Sequence, residues 1–145
     1  MPFRDGLFHM VIDQNEVFIA QEVSRILVPG GTFSTEQTGT SEISESCKLF
    51  GLPAPSPIGP AWDLRTAREQ VERAGLSGLK SAEAKFDMAF HGVGALVWYL
   101  RMVPWASPGF SVERHRSRLE DLHFRLNREG PFRIPRYGFR LRAVK

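Results

Sequence analysis

The chain has 145 residues, 42% of them hydrophobic and 24% charged, a composition that fills the core of about one domain and excludes a disordered polymer. Its longest apolar run, Val93 to Leu100, is interrupted by Gly94 and falls far short of the roughly 20 residues that span a bilayer. No basic start followed by an apolar stretch marks a signal peptide, and a single cysteine, Cys47, excludes an internal disulfide, so a cytoplasmic protein without membrane contact is expected.

The net charge of +3 is unevenly spread. Residues 111–145 hold ten Arg or Lys against four acids, whereas the first 110 hold nine against twelve. A basic end can bind phosphate. No nucleic-acid motif accompanies it, and arginines on the solvent face of one helix and one strand account for the same count.

In chain order, Phe8-His9-Met10-Val11-Ile12 is a short apolar run that suits a strand buried on both faces of a parallel sheet. Asn15 is placed to cap the next helix, with Glu16 in its first turn and Ile19, Val23, Ile26 and Leu27 at helical spacing. Pro29-Gly30-Gly31 stops that helix, and Thr32 to Thr35 resumes as a strand, so a parallel strand–helix–strand crossover is expected. Between Gly39 and Pro60 the prolines 53, 55, 57 and 60 forbid a long element, although Ile43 to Phe50 suits a short helix.

Asp63 caps a clear helix with Leu64, Ala67, Val71 and Ala74 on its inner face, and Gly75 ends it. Leu76 to Phe86 reads as a strand and Gly94 to Met102 as an apolar helix closed by Pro104. Ser111 is expected to cap an amphipathic helix whose stripe is Val112, His115, Leu119, Leu122 and Leu126, broken by Gly130-Pro131. Phe132 to Val144 closes the chain as a strand. The alternation predicts an α/β sheet, though one short of strands for a doubly wound fold.

Two passages carry a family resemblance. Pro2-Phe3-Arg4-Asp5-Gly6-Leu7-Phe8-His9-Met10-Val11 resembles the "PF-x-D-G-x-F-D-x-V" passage that leads into the fourth strand of class I S-adenosylmethionine-dependent methyltransferases. Glu22 through Phe33, with Arg25, Leu27, Pro29, Gly30 and Gly31, resembles the "E-x-x-R-V-L-x-P-G-G" passage entering the fifth. Phe90-His91-Gly92-Val93-Gly94-Ala95-Leu96-Val97-Trp98-Tyr99-Leu100 is similar to the "F-H-D-V-G-A-L-V-Y-Y-L" segment of one bacterial branch, and the ending Gly130 through Lys145 to its final strand. The chain departs from the family in having His9 where the family has Asp.

It also lacks everything before the fourth strand. That part would hold a glycine-rich turn, whose backbone N–H groups approach the cofactor, and an acidic residue for the ribose hydroxyls. Gly92-Val93-Gly94 and Gly30-Gly31 do not replace the turn, the first reading as packing at a helix start and the second as a helix stop. The resemblance therefore implies a partial Rossmann-like α/β sheet over residues 1–145, the C-terminal portion of a methyltransferase domain, with a helical cap at about 92–130 inserted before the last strand. The chain reads as an internal start, a split gene or a degraded copy.

In open α/β sheets ligands sit beyond the carboxyl ends of the strands. That places Asp13, Gln14, Asn15 and Glu16 at the floor of the expected pocket, where the resemblance puts the methionine portion of S-adenosylmethionine; Asn15 also serves as a plain helix cap. Thr35, Glu36 and Gln37 end the next strand and either line the same cleft or form an ordinary loop. Phe90 and His91 are candidates for contact with a small-molecule methyl acceptor, His91 also as proton acceptor, with the structural alternative of a histidine beside core residues. Trp98, Tyr99 and Trp105 form either an aromatic lid or a core stripe. His115 and His123, eight apart on one helix, do not chelate a metal as a pair.

Two function classes follow. One is a small-molecule methyltransferase whose cofactor grip is largely missing from this chain. The other is a non-catalytic remnant or partner-binding module that pairs, through an open sheet edge at Phe8, with a second chain completing the sheet.

Overall fold

A computed structural model describes residues 2–39, 44–53, 62–104 and 107–145. In chain order the elements are β1 (Phe8–Gln14), α1 (Ala20–Ile26), β2 (Leu27–Thr38), α2 (Ser44–Phe50), α3 (Leu64–Arg73), β3 (Ser77–Phe90), α4 (Val93–Met102), α5 (Arg116–Glu129) and β4 (Phe132–Val144). The sheet order is β1-β2-β4-β3, with β1 parallel to β2 and β4 antiparallel to β2. The β1–α1–β2 crossover expected from the periodicities is present. The register jumps from Phe8↔Leu27 to Met10↔Thr32, and the glycines of β2 explain how. Gly30 takes a φ of 77°, and a Cβ on Gly31 would lie 2.9 Å from the Val28 carbonyl oxygen and 3.2 Å from that of Phe8. Only glycine lets the backbones approach that closely.

The chain divides into two compact units: Met1–Thr40, Pro60–Lys85 and Tyr137–Lys145 in the first, and Ser41–Gly59 and Phe86–Arg136 in the second. The first unit closes on Phe18, Val23, Leu27, Phe33, Val71, Leu76 and Leu141, all buried. Phe18 meets Phe33 edge-on, ring centres 4.9 Å apart, and Trp62 packs 5.7 Å from Phe18. The helix α3 forms as its spacing demands: Asp63 accepts the Thr66 N–H at 2.7 Å, and Ala67 and Val71 are fully buried.

Ahead of β1, Arg25 fastens the chain, its Nε and Nη2 donating to Glu22 at 2.8 and 2.9 Å and its Nη1 to the Phe3 carbonyl at 2.8 Å. The Arg25 guanidinium lowers the Glu22 carboxyl from the usual 4.5 to about 2. A carboxyl held low in the folded state stabilises above its unfolded pKa, and that contribution disappears as pH falls through the folded value. The expected Glu22 midpoint in a carbon-detected titration is therefore about 2, with the latch weakening between pH 4.5 and 2. A midpoint near 4.5 would show the latch to be absent.

The second unit packs Phe50, Phe90, Leu96, Leu100, Leu119, Leu122 and Ile134 together. Inside it Ser107 donates to Ser46 at 2.9 Å, and His115 stacks on Phe110 with ring centres 5.5 Å apart while its Nδ1 lies 2.9 Å from the Ser111 carbonyl. Three of the four arginines of α5 are spent on exposed pairs, Arg116 with Glu120 and Arg125 and Arg128 with Glu129, while Arg118 donates to the Leu49 carbonyl at 3.1 Å. Such pairs are worth little individually.

Four expectations are corrected. Pro29-Gly30-Gly31 does not stop α1, which ends at Ile26; these residues lie within β2, which already begins at Leu27. The strand β1 is not buried on both faces: Met10 and Ile12 are 53% and 72% exposed, because β1 is the edge of the sheet and among the described residues nothing covers that face. Asn15 does not cap α1, which starts after Ile19 without a side-chain cap; Asn15 instead takes a left-handed φ of 55° in the turn that leaves β1. Ser111 does not cap α5 itself. Its hydroxyl accepts the Arg114 N–H at 3.2 Å in a preceding turn, and the helix begins after His115.

Candidate functional site

The parallel pair β1/β2 puts Asp13 beside Thr35 and Gln14 beside Glu36 at its carboxyl end. Side chains two apart on a strand share a face, so Asp13, Thr35 and Gln37 converge on the same side of the sheet. Thr35 Oγ1 donates to Asp13 Oδ2 at 2.7 Å, and Gln37 Nε2 donates to the same oxygen at 2.5 Å. Gln37 Nε2 also lies 3.1 Å from the Glu16 carbonyl, and Gln37 Oε1 accepts the Trp62 indole N–H at 3.3 Å. Thr35 and Gln37 are buried, at 2% and 5% exposure, whereas Asp13 is half-buried. The turn is pinned to β2 as well: the Asn15 N–H donates to the Glu36 carbonyl at 2.8 Å, and Thr38 Oγ1 to Asn15 Oδ1 at 3.0 Å.

The result is a carboxylate braced from behind. Asp13 Oδ2 is committed to two donors, which leaves Oδ1 to accept a hydrogen bond from outside, while the side chains of Gln14, Asn15 and Glu16 are exposed around it. An arrangement of this kind binds the donor groups of a ligand, such as an ammonium or hydroxyl. A larger ligand would meet it at one end only. Neither remaining glycine pair supplies the other end: a Cβ on Gly92 or Gly94 would meet nothing within 4 Å, so no close backbone approach depends on those glycines. For S-adenosylmethionine the residues present thus suit the amino-acid portion and leave the nucleoside without a cradle among the described residues.

The four residues expected at the cofactor, Asp13 to Glu16, are together in the first unit. Those expected at the acceptor belong to the second. Phe90 is buried at 6% exposure and packs 5.4 Å from the Tyr99 ring, so it shapes the core; His91 is exposed in the turn before α4, and Trp98 is 67% exposed. Trp105 lies outside the described residues. Beside Val93, Gly94 and Val97 of α4 and Leu119, His123 and Phe124 of α5 runs an almost wholly apolar groove of about 400 Å³. Sequence reasoning missed Val97 and Phe124 in that role, although Phe124 stands off the buried stripe of α5 and is 71% exposed. Among the described residues no three His, Cys, Asp or Glu side chains come together to hold a metal ion.

The fold, a four-stranded α/β sheet with one parallel crossover and an antiparallel strand within it, is shared with solved structures. A methyltransferase-assigned protein of Bacillus halodurans superposes with a TM-score of 0.55 at 16% identity, covering 100% of this chain and 67% of its own. The YcgJ protein of Bacillus subtilis superposes with a TM-score of 0.58 at 15% identity, again over 100% of this chain and 67% of its own. At such identities the likeness establishes the fold. No family model matches the sequence, and no curated protein does. No helix among the described residues is long and apolar enough to cross a membrane.

Proposed function

We propose that the chain is the C-terminal portion of an S-adenosylmethionine-dependent methyltransferase acting on a small molecule, a truncated or split form with little or no activity by itself. The observation that carries this reading is the match of the whole chain to two thirds of each neighbour, with the braced carboxylate Asp13 at the carboxyl ends of the parallel strands. Asp13, Gln14, Asn15 and Glu16 hold the amino-acid end of the cofactor. The helices between Gly92 and Gly130 form a cap in which His91 and Trp98 meet the methyl acceptor and Phe90 supports them from the core. Methyl transfer from a sulfonium asks for an in-line approach in a dry pocket rather than a fixed catalytic set, so the lack of a catalytic triad does not count against it. The compartment that fits is the cytoplasm.

Calorimetry of the folded 145-residue chain with S-adenosylmethionine tests the reading, with no saturable heat expected at affinities tighter than about 100 μM, roughly 5.5 kcal/mol. Joining the chain to a glycine-rich turn encoded upstream of Met1 or in a neighbouring reading frame is expected to bring binding above that threshold. A joined, folded protein that still binds no cofactor would sink the methyltransferase assignment. Saturable heat from the chain alone would overturn its description as inactive by itself.

A second reading has its own support. The edge position of β1 and the exposure of Met10 and Ile12 suit a non-catalytic, partner-binding module that pairs through that edge.

A further inference from the structure

Half of the ten large apolar side chains described as exposed fall within residues 3–19: Phe3, Met10, Ile12, Val17 and Ile19, at 43%, 53%, 72%, 96% and 60%. All belong to the first unit, on or next to the edge strand β1. The backbone of β1 is equally unsatisfied. The Leu7 N–H donates to the Ile26 carbonyl and the Asn15 N–H to the Glu36 carbonyl, each at 2.8 Å, so the odd-numbered residues turn their backbone groups toward β2. Strand alternation then leaves the N–H and C=O groups of Met10, Ile12 and Gln14 pointing outward, whereas the Phe8 carbonyl lies against Gly31 of β2.

We infer that the occupant of this edge is a second copy of the same chain, paired antiparallel through β1 about a two-fold axis at Val11. The inference rests on the open-edge reading and names its partner. The strand is complementary to itself in that register. Met10 falls opposite the partner's Ile12, joining two exposed apolar side chains, and His9 falls opposite the partner's Asp13, whose Oδ1 is open to a donor. Phe8 faces the partner's Gln14.

The pair Met10/Ile12 has its backbone groups pointing outward, so it becomes the hydrogen-bonded pair of the ladder. Val11/Val11 and His9/Asp13 become the closer, non-hydrogen-bonded pairs. A register moved by two residues toward either end keeps apolar pairs such as Met10 with Met10 or Ile12 with Ile12 but separates His9 from Asp13, so that polar pair is what selects the alignment. The antiparallel sense also brings the Phe3–Phe8 ring pair at the start of β1 toward Val17 beyond its end in the other copy. The surface meets itself, so the assembly closes at two copies.

Sedimentation of the full 145-residue chain from about 1 to about 500 μM tests the pairing, with a monomer–dimer equilibrium in the micromolar range expected for so small an interface. Ile12→Lys is expected to weaken association at least tenfold, while Phe124→Lys, on the exposed face of α5, leaves it unchanged. Circular dichroism checks that both variants fold. As a readout independent of that charge, Val11→Cys is expected to form a disulfide-linked dimer on oxidation, since the paired Cα atoms would stand about 4.5 Å apart.

A dimer lost in Phe124→Lys and kept in Ile12→Lys would overturn the inference, as would any discrete assembly larger than two. A monomer at every concentration overturns it too, and hydrogen exchange then separates the two ideas. Fast exchange at the Met10, Ile12 and Gln14 amides would leave the edge open for a different chain. Protected amides would remove the open edge itself.

Discussion

Replacing Phe33 by alanine is expected to cost the first unit about 3–5 kcal/mol, the largest effect of any single change considered. Phe33 is completely buried on β2, opposite Val11 of β1 and Ala143 of β4, and its ring meets Phe18 edge-on. It therefore joins two strand pairings and the segment leading into α1 in one contact. Truncation removes both the transfer free energy of the ring and the contacts around the void it leaves, and strands pinned on both sides relax little to fill it. Hydrogen exchange at β2 amides under mild denaturant reads the loss locally, which matters because the chain has two compact units and a global midpoint would mix them. A loss below about 1 kcal/mol, the ordinary size of a point-mutation effect, would mean that the first unit is not organised around this residue.

Asp13→Ala is expected to cost about 1–2 kcal/mol, for a different reason: the buried Thr35 hydroxyl loses its acceptor, while Gln37 Nε2 keeps the Glu16 carbonyl. Thr35 and Gln37 are nearly inaccessible, and Asp13 Oδ2 accepts from both. Asp13→Asn keeps an oxygen at that point and is expected to recover most of the stability while removing the charge. The pair of variants thus divides the residue's two roles. In a chain joined to a glycine-rich turn, Asp13→Asn is expected to fold normally and to bind S-adenosylmethionine at least tenfold more weakly than the joined parent in calorimetry. Unchanged affinity would confine Asp13 to bracing the turn. An Asp13→Ala protein as stable as the parent would mean the Thr35–Asp13–Gln37 cluster does not form.

The Asp13 cluster also shows the limit of linear reading. Asp13, Thr35 and Gln37 are each readable as strand-end residues beyond which a ligand could sit, since apolar runs ending in polar residues locate the carboxyl ends of strands. Their union on one oxygen joins residues 22 and 24 positions apart and follows from the register jump at Gly30-Gly31. A register moved by one residue would have sent Gln37 to the opposite face. Asn15 erred in the other direction: its type suits both a helix cap and a left-handed turn, and the chain needs the turn first, because β1 must be left behind before α1 can pack Val23 and Ile26 inward.

By itself the sequence determined the kinds and order of the elements, because those depend on neighbours. The 3.6-residue spacing of Ala67 and Val71, the Asp63 cap and the glycines at 75 and 130 act within a turn or two of chain. It also carried the two strings, around Phe8 and around Pro29-Gly30-Gly31, that pointed to the methyltransferase fold. Only the tertiary structure decided that β4 inserts beside β2 and leaves β1 at the edge. Strand order depends on which faces can be buried together across the whole chain, and an apolar run such as Phe8 to Ile12 reads the same whether neighbours cover it or not. For this chain the difference matters, since it leaves Met10 and Ile12 of that run exposed.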